Sequence, residues 1–168
     1  MAIAKGLRMQ IGVTQTVAIA LHEMVEVLEN VEPIWVPCAP IHCQWLVRWR
    51  NQLVPLFDPM IWCGTVRAEG VETVARFHAI VSFETGDPNR LGFGCLALHA
   101  FPAAMAVDDQ SACALPNARW AHIAHSCFRD GTAIMPILNL PAMFDRMAEG
   151  SLEPLRVQHA SIGEALTV

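Results

Sequence analysis

Apolar and polar positions alternate along much of the chain with the period of two that a half-buried strand requires. Leu7, Met9 and Ile11 alternate with Arg8 and Gln10, residues 15–21 alternate again, and Gly12-Val13-Thr14 stands between them as a turn, which predicts a first hairpin. Residues 22–29 break the pattern: Met24, Val25, Val27 and Leu28 sit among Glu23, Glu26 and Glu29, which fits either a short helical turn or an irregular strand. Pro33, Pro37 and Pro40 then hold the backbone extended. A second hairpin follows, with Trp45-Leu46-Val47-Arg48-Trp49 going out and Leu53-Val54-Pro55-Leu56-Phe57 returning. Its turn is Arg50-Asn51-Gln52, where Asn51 is the residue that tolerates left-handed backbone. Pro55 has no N–H for a ladder, so the returning strand is expected at a sheet edge or with that position facing out. Asp58-Pro59 opens a new element, and residues 60–63 read as one helical turn closed by Gly64.

The polar stretch 65–73 is the best internal boundary. Beyond it, residues 77–83 form a strong strand, Gly86-Asp87-Pro88-Asn89 a turn, and residues 91–99 the next strand, in which Gly92 and Gly94 point to close backbone approach or bulging. Met105-Ala106-Val107 is short, and residues 108–124 are rich in turns. Phe128 opens a last hairpin with Asp130-Gly131 at its turn and residues 134–138 returning. Residues 141–147 fit a short helix, and the chain from Gly150 is polar and peripheral. Many short strands at close spacing, with few helices, indicate an all-β barrel or sandwich.

The two returning strands resemble one another. Leu53-Val54-Pro55-Leu56-Phe57-Asp58 and Ile134-Met135-Pro136-Ile137-Leu138-Asn139 share two apolar residues, a proline, two more apolar residues and then Asp or Asn. Arg50-Asn51 precedes the first and Arg129-Asp130-Gly131 the second, while Trp62 and Phe144 follow them. This implies two related β-subdomains, residues 7–64 and 74–147, the first completed in part by later residues, with 148–168 as a peripheral segment.

Composition narrows the function. Hydrophobic residues make up 54% of the 168 positions and charged ones only 16%, so part of the apolar surplus is available to cover a partner surface. The net charge is −5 and the basic residues are scattered, which argues against nucleic acid as a partner. Cys38, Cys43, Cys63, Cys95, Cys113 and Cys127 include no C-x-x-C pair and read as small buried hydrophobes in a reducing cytoplasm. Lys5 and Arg8 ahead of an apolar stretch loosely mimic an export leader, but Gln10, Thr14, Gln15 and Thr16 interrupt it. The apolar run 91–107 is broken by glycines and a proline and is shorter than the ~20 residues a membrane helix needs, so no membrane insertion is expected.

No motif commits the chain to catalysis. The glycines of Gly92-Phe93-Gly94 lack the third of a dinucleotide fingerprint, and neither a nucleophile elbow nor a phosphate loop occurs. Asp108-Asp109 reads as a solvated loop. His42 beside Cys38 and Cys43, and His122 and His125 beside Cys127, raise a metal question, but a tetrahedral zinc site needs a fourth ligand that neither group supplies. No cofactor or metal is expected. A small-molecule or enzymatic β-barrel using the Cys/His loops at 113–127 is the competing reading. Arg50, at a hairpin tip beside Trp49, stands out as an interface residue because Arg and Trp are favoured anchors.

The order of these segments resembles the chemotaxis coupling protein CheW. That family has two strands, a short helical segment, a proline-containing link, a strand ending in Asn-Leu-Arg-Gly and a return ending in Pro-x-x-Asp-Leu. Here the corresponding residues are Arg48-Trp49-Arg50-Asn51 and Pro55-Leu56-Phe57-Asp58-Pro59, with the later strands and Asn139-Leu140 matching the second half over about residues 7–147. The resemblance implies two packed five-stranded β-barrels with short helical segments, together forming one domain, and no catalysis. It also implies two partners: the cytoplasmic tip of a methyl-accepting chemoreceptor and the regulatory domain of a CheA-type histidine kinase. Met24, Val25, Glu26, Trp49, Arg50 and Asn51 would lie on the receptor side. Trp45, Pro55, Asp58, Asp130, Gly131 and Asn139 would be motif or structural positions. The chain departs from the family at Trp45 and Asn51, both glycines there, at Arg48 and Trp49, and at Asn139. A divergent member serving a pilus-type twitching-motility array or an accessory chemosensory system is therefore expected.

Overall fold

The computed structural model describes residues 3–64 and 75–148. Eleven strands run in chain order among these residues: β1 (Ile3–Gln10), β2 (Thr16–Ala20), β3 (Met24–Glu29), β4 (Ile34–Trp35), β5 (Trp45–Trp49), β6 (Gln52–Phe57), β7 (Phe77–Glu84), β8 (Leu91–Leu98), β9 (Ala103–Asp108), β10 (Ala124–Asp130) and β11 (Ala133–Leu138). Two short helices, α1 (Pro59–Trp62) and α2 (Leu140–Ala148), follow β6 and β11. The expected boundary at 65–73 and the segment beyond Ala148 lie outside the described residues.

The strands form two sheets, in the orders β10-β11-β2-β1-β9 and β3-β7-β8-β6-β5-β4. The second sheet has six strands rather than five because Ile34 and Trp35 pair with Leu46 and Trp45. The sheets do not follow a division into residues 7–64 and 74–147. β1 and β2 pair with strands of the later half, and β7 and β8 sit in the middle of the sheet built by β3 to β6. Local alternation specifies each hairpin, but which sheet a hairpin joins depends on where its apolar face is buried.

Both sheets curl. In the second, β3 and β5 are four strands apart along the ladder, about 19 Å if the sheet were flat. Yet the Trp49 indole N–H donates to Glu26 Oε2 at 2.8 Å. In the first, the bridge Ala112↔Phe128 joins the chain just beyond β9 to β10, the opposite edge strand. Each sheet thus closes on a filled interior. Val47, Trp49, Val54, Leu56, Ile80 and Cys95 fill one. Ala18, Phe128 and Met135 fill the other, with Met105 and Val107 against them. A larger core between the barrels takes Met9, Val17 and Ile19 from one sheet and Ala79, Val81, Leu96 and Leu98 from the other. β7 is therefore buried on both faces: Phe77, Ala79, Val81 and Phe83 join the central core while Ile80 points into its own barrel.

Gly92 and Gly94 serve this packing. A Cβ at Gly92 would collide with the Phe83 ring and one at Gly94 with the Phe144 ring. Those two rings stack at 5.1 Å with 9° between their planes and fix α2 against the β7–β8 hairpin. Residues 22–29 resolve as both alternatives: Leu21–Glu23 make one 3-10 turn, then β3 runs with a bulge between Met24 and Glu26. β6 is not an edge strand, since it lies between β5 and β8. Pro55 is tolerated because, counting from the two-residue turn, it falls opposite Leu46 in a pair that exchanges no backbone hydrogen bonds, and the parallel pairing with β8 starts only at Leu56.

The repeat is real in three dimensions. β5–β6 and β10–β11 each turn through two residues, Arg50-Asn51 and Gly131-Thr132. Pro55 and Pro136, and Asp58 and Asn139, hold equivalent positions after those turns. The Asp58 N–H donates to the His42 carbonyl at 2.8 Å and the Asn139 N–H to the Ile123 carbonyl at 2.9 Å. Asp58 Oδ1 then caps α1 through the N–H groups of Met60 and Ile61, and Asn139 Oδ1 caps α2 through Ala142 N–H. Arg50 therefore corresponds to Gly131, and Arg48 to Arg129.

Candidate partner-binding surface

The closure of the second barrel brings three of the expected receptor-side residues together. Trp49 ends β5 with its ring 4% exposed, packed 5.1 Å from the Phe93 ring on β8. Its indole reaches Glu26 on β3, as above. The Arg50 guanidinium lies 4.5 Å from the centre of the Trp49 ring and 3.8 Å from Glu26 Oε2. The Arg50 and Glu26 side chains are 69% and 44% exposed, so their mutual attraction is weak and screened. The arginine thus retains donors for a carboxylate or carbonyl brought by a partner.

The expectation that Trp49 is an interface anchor is corrected. It is a core residue at the mouth of the barrel, and Arg50 covers what remains of its face. Asn51 is corrected too: the positive φ of this turn, 51°, belongs to Arg50, and Asn51 is not among the described residues with positive φ. A left-handed first turn residue followed by an ordinary second one is the type II′ pattern, whose first position favours glycine. An arginine there bears a backbone cost of about 1–2 kcal/mol, yet this conformation stands it over Trp49. Val25 occupies the β3 bulge and is 38% exposed, Met24 is half-buried, and Asn51 is exposed at the tip.

Trp45 does not open the strand as a glycine would. It pairs with Trp35 and Leu56, 42% exposed, beside Trp35 at 54% and Ile34 at 42%. Trp35 and Trp45 share one face of this sheet edge, and Ile34 lies on the other. The structural positions Pro55, Asp58, Asp130, Gly131 and Asn139 all lie in the repeated hairpin-and-cap unit, Gly131 with φ 59°.

Among the described residues no group of three or more His, Cys, Asp or Glu is placed to hold a metal. His125 and His122 are exposed, with His122 6.4 Å from the Trp62 ring. A cavity of about 300 Å³ opens elsewhere, between Arg8, Gln10, Thr14, Thr16 and Phe101. Burial lowers the pKa of His42 and His78, and leaves His42 Nε2 and His78 Nδ1 without partners. It pushes the Cys63 and Cys95 thiols up to about 12, so neither is a thiolate nucleophile near neutrality. No helix among the described residues is long and apolar enough to cross a membrane.

Two curled sheets packed through a shared core make an all-β double barrel. The scaffolding protein TtCheW from Thermoanaerobacter tengcongensis has this fold: its crystal structure superimposes with a TM-score of 0.65, covering 92% of this chain and 99% of that one, at 13% identity. No family model and no curated protein matches the chain by sequence. Sequence reasoning missed the Trp49–Glu26 hydrogen bond and the Trp49–Phe93 contact. Both join residues far apart in the chain, and only Gly92 and Gly94 hinted that the backbone of β8 is closely approached.

Proposed function

We propose that the chain is a non-catalytic adaptor that couples methyl-accepting chemoreceptors to a CheA-type histidine kinase in a cytoplasmic, membrane-associated array. One observation carries this reading: the fold likeness to a scaffolding protein spans nearly the whole of both chains. The receptor tip would be read by Arg50, with Glu26 and Val25 beside it. The kinase regulatory domain would meet the apolar edge at Ile34, Trp35 and Trp45, where exposed aromatic side chains supply anchors. The departures at Trp45 and Asn51 favour a pilus-type or accessory array over the flagellar one.

The test is capture of the receptor tip and of the kinase regulatory domain from the same genome by the purified chain. Arg50→Glu, which places a carboxylate beside Glu26, is expected to weaken receptor binding by about tenfold or more while kinase binding is retained. Failure of the unaltered chain to capture either partner overturns the adaptor reading.

A further inference from the structure

Cys113 and Cys127 face one another at the seam where the first barrel closes. The bridge Ala112↔Phe128 is antiparallel, so the next pair along it is Cys113 opposite Cys127, and the Cys113 N–H donates to the Cys127 carbonyl at 2.9 Å. Directly opposed residues of an antiparallel pair hold their Cα atoms about 4.5–5.5 Å apart, within the roughly 4.4–6.8 Å that a disulfide spans. As directly opposed residues they carry their side chains on the same face of the pair, so the two thiols are neighbours. Cys127 is 3% exposed, whereas Cys113 is half-buried. Among the described residues all six cysteines are free thiols.

We propose that Cys113 and Cys127 form a reversible disulfide that seals the seam of the first barrel, with a low-molecular-weight disulfide as oxidant. The more accessible thiol reacts first. Cys113, as its thiolate, attacks one sulfur of the oxidant, forms a mixed disulfide and releases one thiolate. Cys127 then loses its proton to solvent and attacks the Cys113 sulfur, forming the internal S–S bond and expelling the second thiolate. The protein dithiol is oxidised by two electrons, and one disulfide oxidant is reduced to two thiols. Burial and the neighbouring Cys113 hold the Cys127 thiol up at about 11, so the second step is the slow one near neutrality. The bond closes a loop that contains Trp120, a buried residue of the central core, and so ties that segment to β10.

The full chain is equilibrated in glutathione and glutathione disulfide mixtures, digested without reductant and read by mass spectrometry. The expected result is a Cys113–Cys127 cross-linked peptide two hydrogens lighter than the dithiol pair, lost on reduction, with a higher melting temperature for the oxidised chain. Cys113→Ser, at the half-buried position, and Cys127→Ala, which keeps the buried site apolar, each abolish both the cross-link and the rise in melting temperature. Mixed glutathione adducts alone at Cys113, or preferential pairing of Cys113 with another cysteine, overturn the proposal.

Discussion

The hairpins β5–β6 and β10–β11 are built on one plan: a two-residue turn, a proline in the returning strand, and an Asp or Asn that caps a short helix. They differ at the turn. The second uses Gly131 at φ 59°, where a Cβ would meet nothing within 4 Å, while the first forces Arg50 to 51°. They differ again one residue earlier, where the first has Trp49 in the core and the second has Asp130, whose side chain is 52% exposed and lies 4.0 Å from Arg8. A third difference lies beneath the cap: His42 in the first unit, Ile123 in the second, both buried. The second unit follows the local rules for folding. The first departs from them at two equivalent positions, Arg50 with its positive φ and the buried His42 with an unpartnered Nε2, and Arg50 belongs to the cluster proposed to meet the receptor.

The largest effect that would break this contrast is at the barrel mouth. Trp49→Ala removes a buried indole and leaves Glu26 without its donor, and is expected to destabilise by about 3–5 kcal/mol. Asp130→Ala, at the equivalent exposed position, is expected to stay within about 0.5 kcal/mol. Chemical denaturation of both variants checks the pair, and equal losses would remove the distinction between the units.

The turns give a smaller effect. Gly131→Ala puts a Cβ on left-handed backbone and should cost about 1 kcal/mol. Arg50→Gly relieves the same cost but gives up the cation–π contact, worth about 0.5–1 kcal/mol. Its stability should therefore be nearly unchanged while receptor capture falls. A large loss of stability in Arg50→Gly would mean that the arginine is there for folding.

The smallest effect concerns pH. His42 and His78 titrate below the ordinary 6.5 when folded, so the unfolded chain takes up protons first. Stability from this source is complete above pH 6.5 and declines as pH falls below it, by under about 1 kcal/mol per histidine at pH 6. His42→Ile, which copies Ile123, is expected to remove its share of the acid loss and leave that of His78. Denaturation midpoints at pH 7.5 and 6 measure it; an unchanged difference would show that His42 is not the sensitive group.

Much of the fold is legible in the sequence. The hairpins, the Pro–Asp and Pro–Asn repeat, and the helical turns at residues 60–63 and 141–147 follow from alternation, turn chemistry and capping, which act over a few residues. β4 went unread because two residues between prolines carry no periodicity. Of the candidate surface, Arg50 was legible from its place at a hairpin tip and Glu26 from resemblance, but the burial of Trp49 was not, because an aromatic at a hairpin end looks the same whether it faces water or a barrel interior. The left-handed position was assigned to Asn51 on propensity, and tertiary packing placed it at Arg50.

The sequence by itself determined local pairing: which segments are strands, where they turn and where a helix is capped. Those preferences are set by near neighbours along the chain. Only the tertiary structure decided that β1 and β2 close the sheet of β9, β10 and β11, that Glu26 meets Trp49 across a seam four strands wide, and that Cys113 lies opposite Cys127. Those contacts arise because each curled sheet must bury its inner face on itself and its outer face on the other, a demand that no local stretch of sequence expresses.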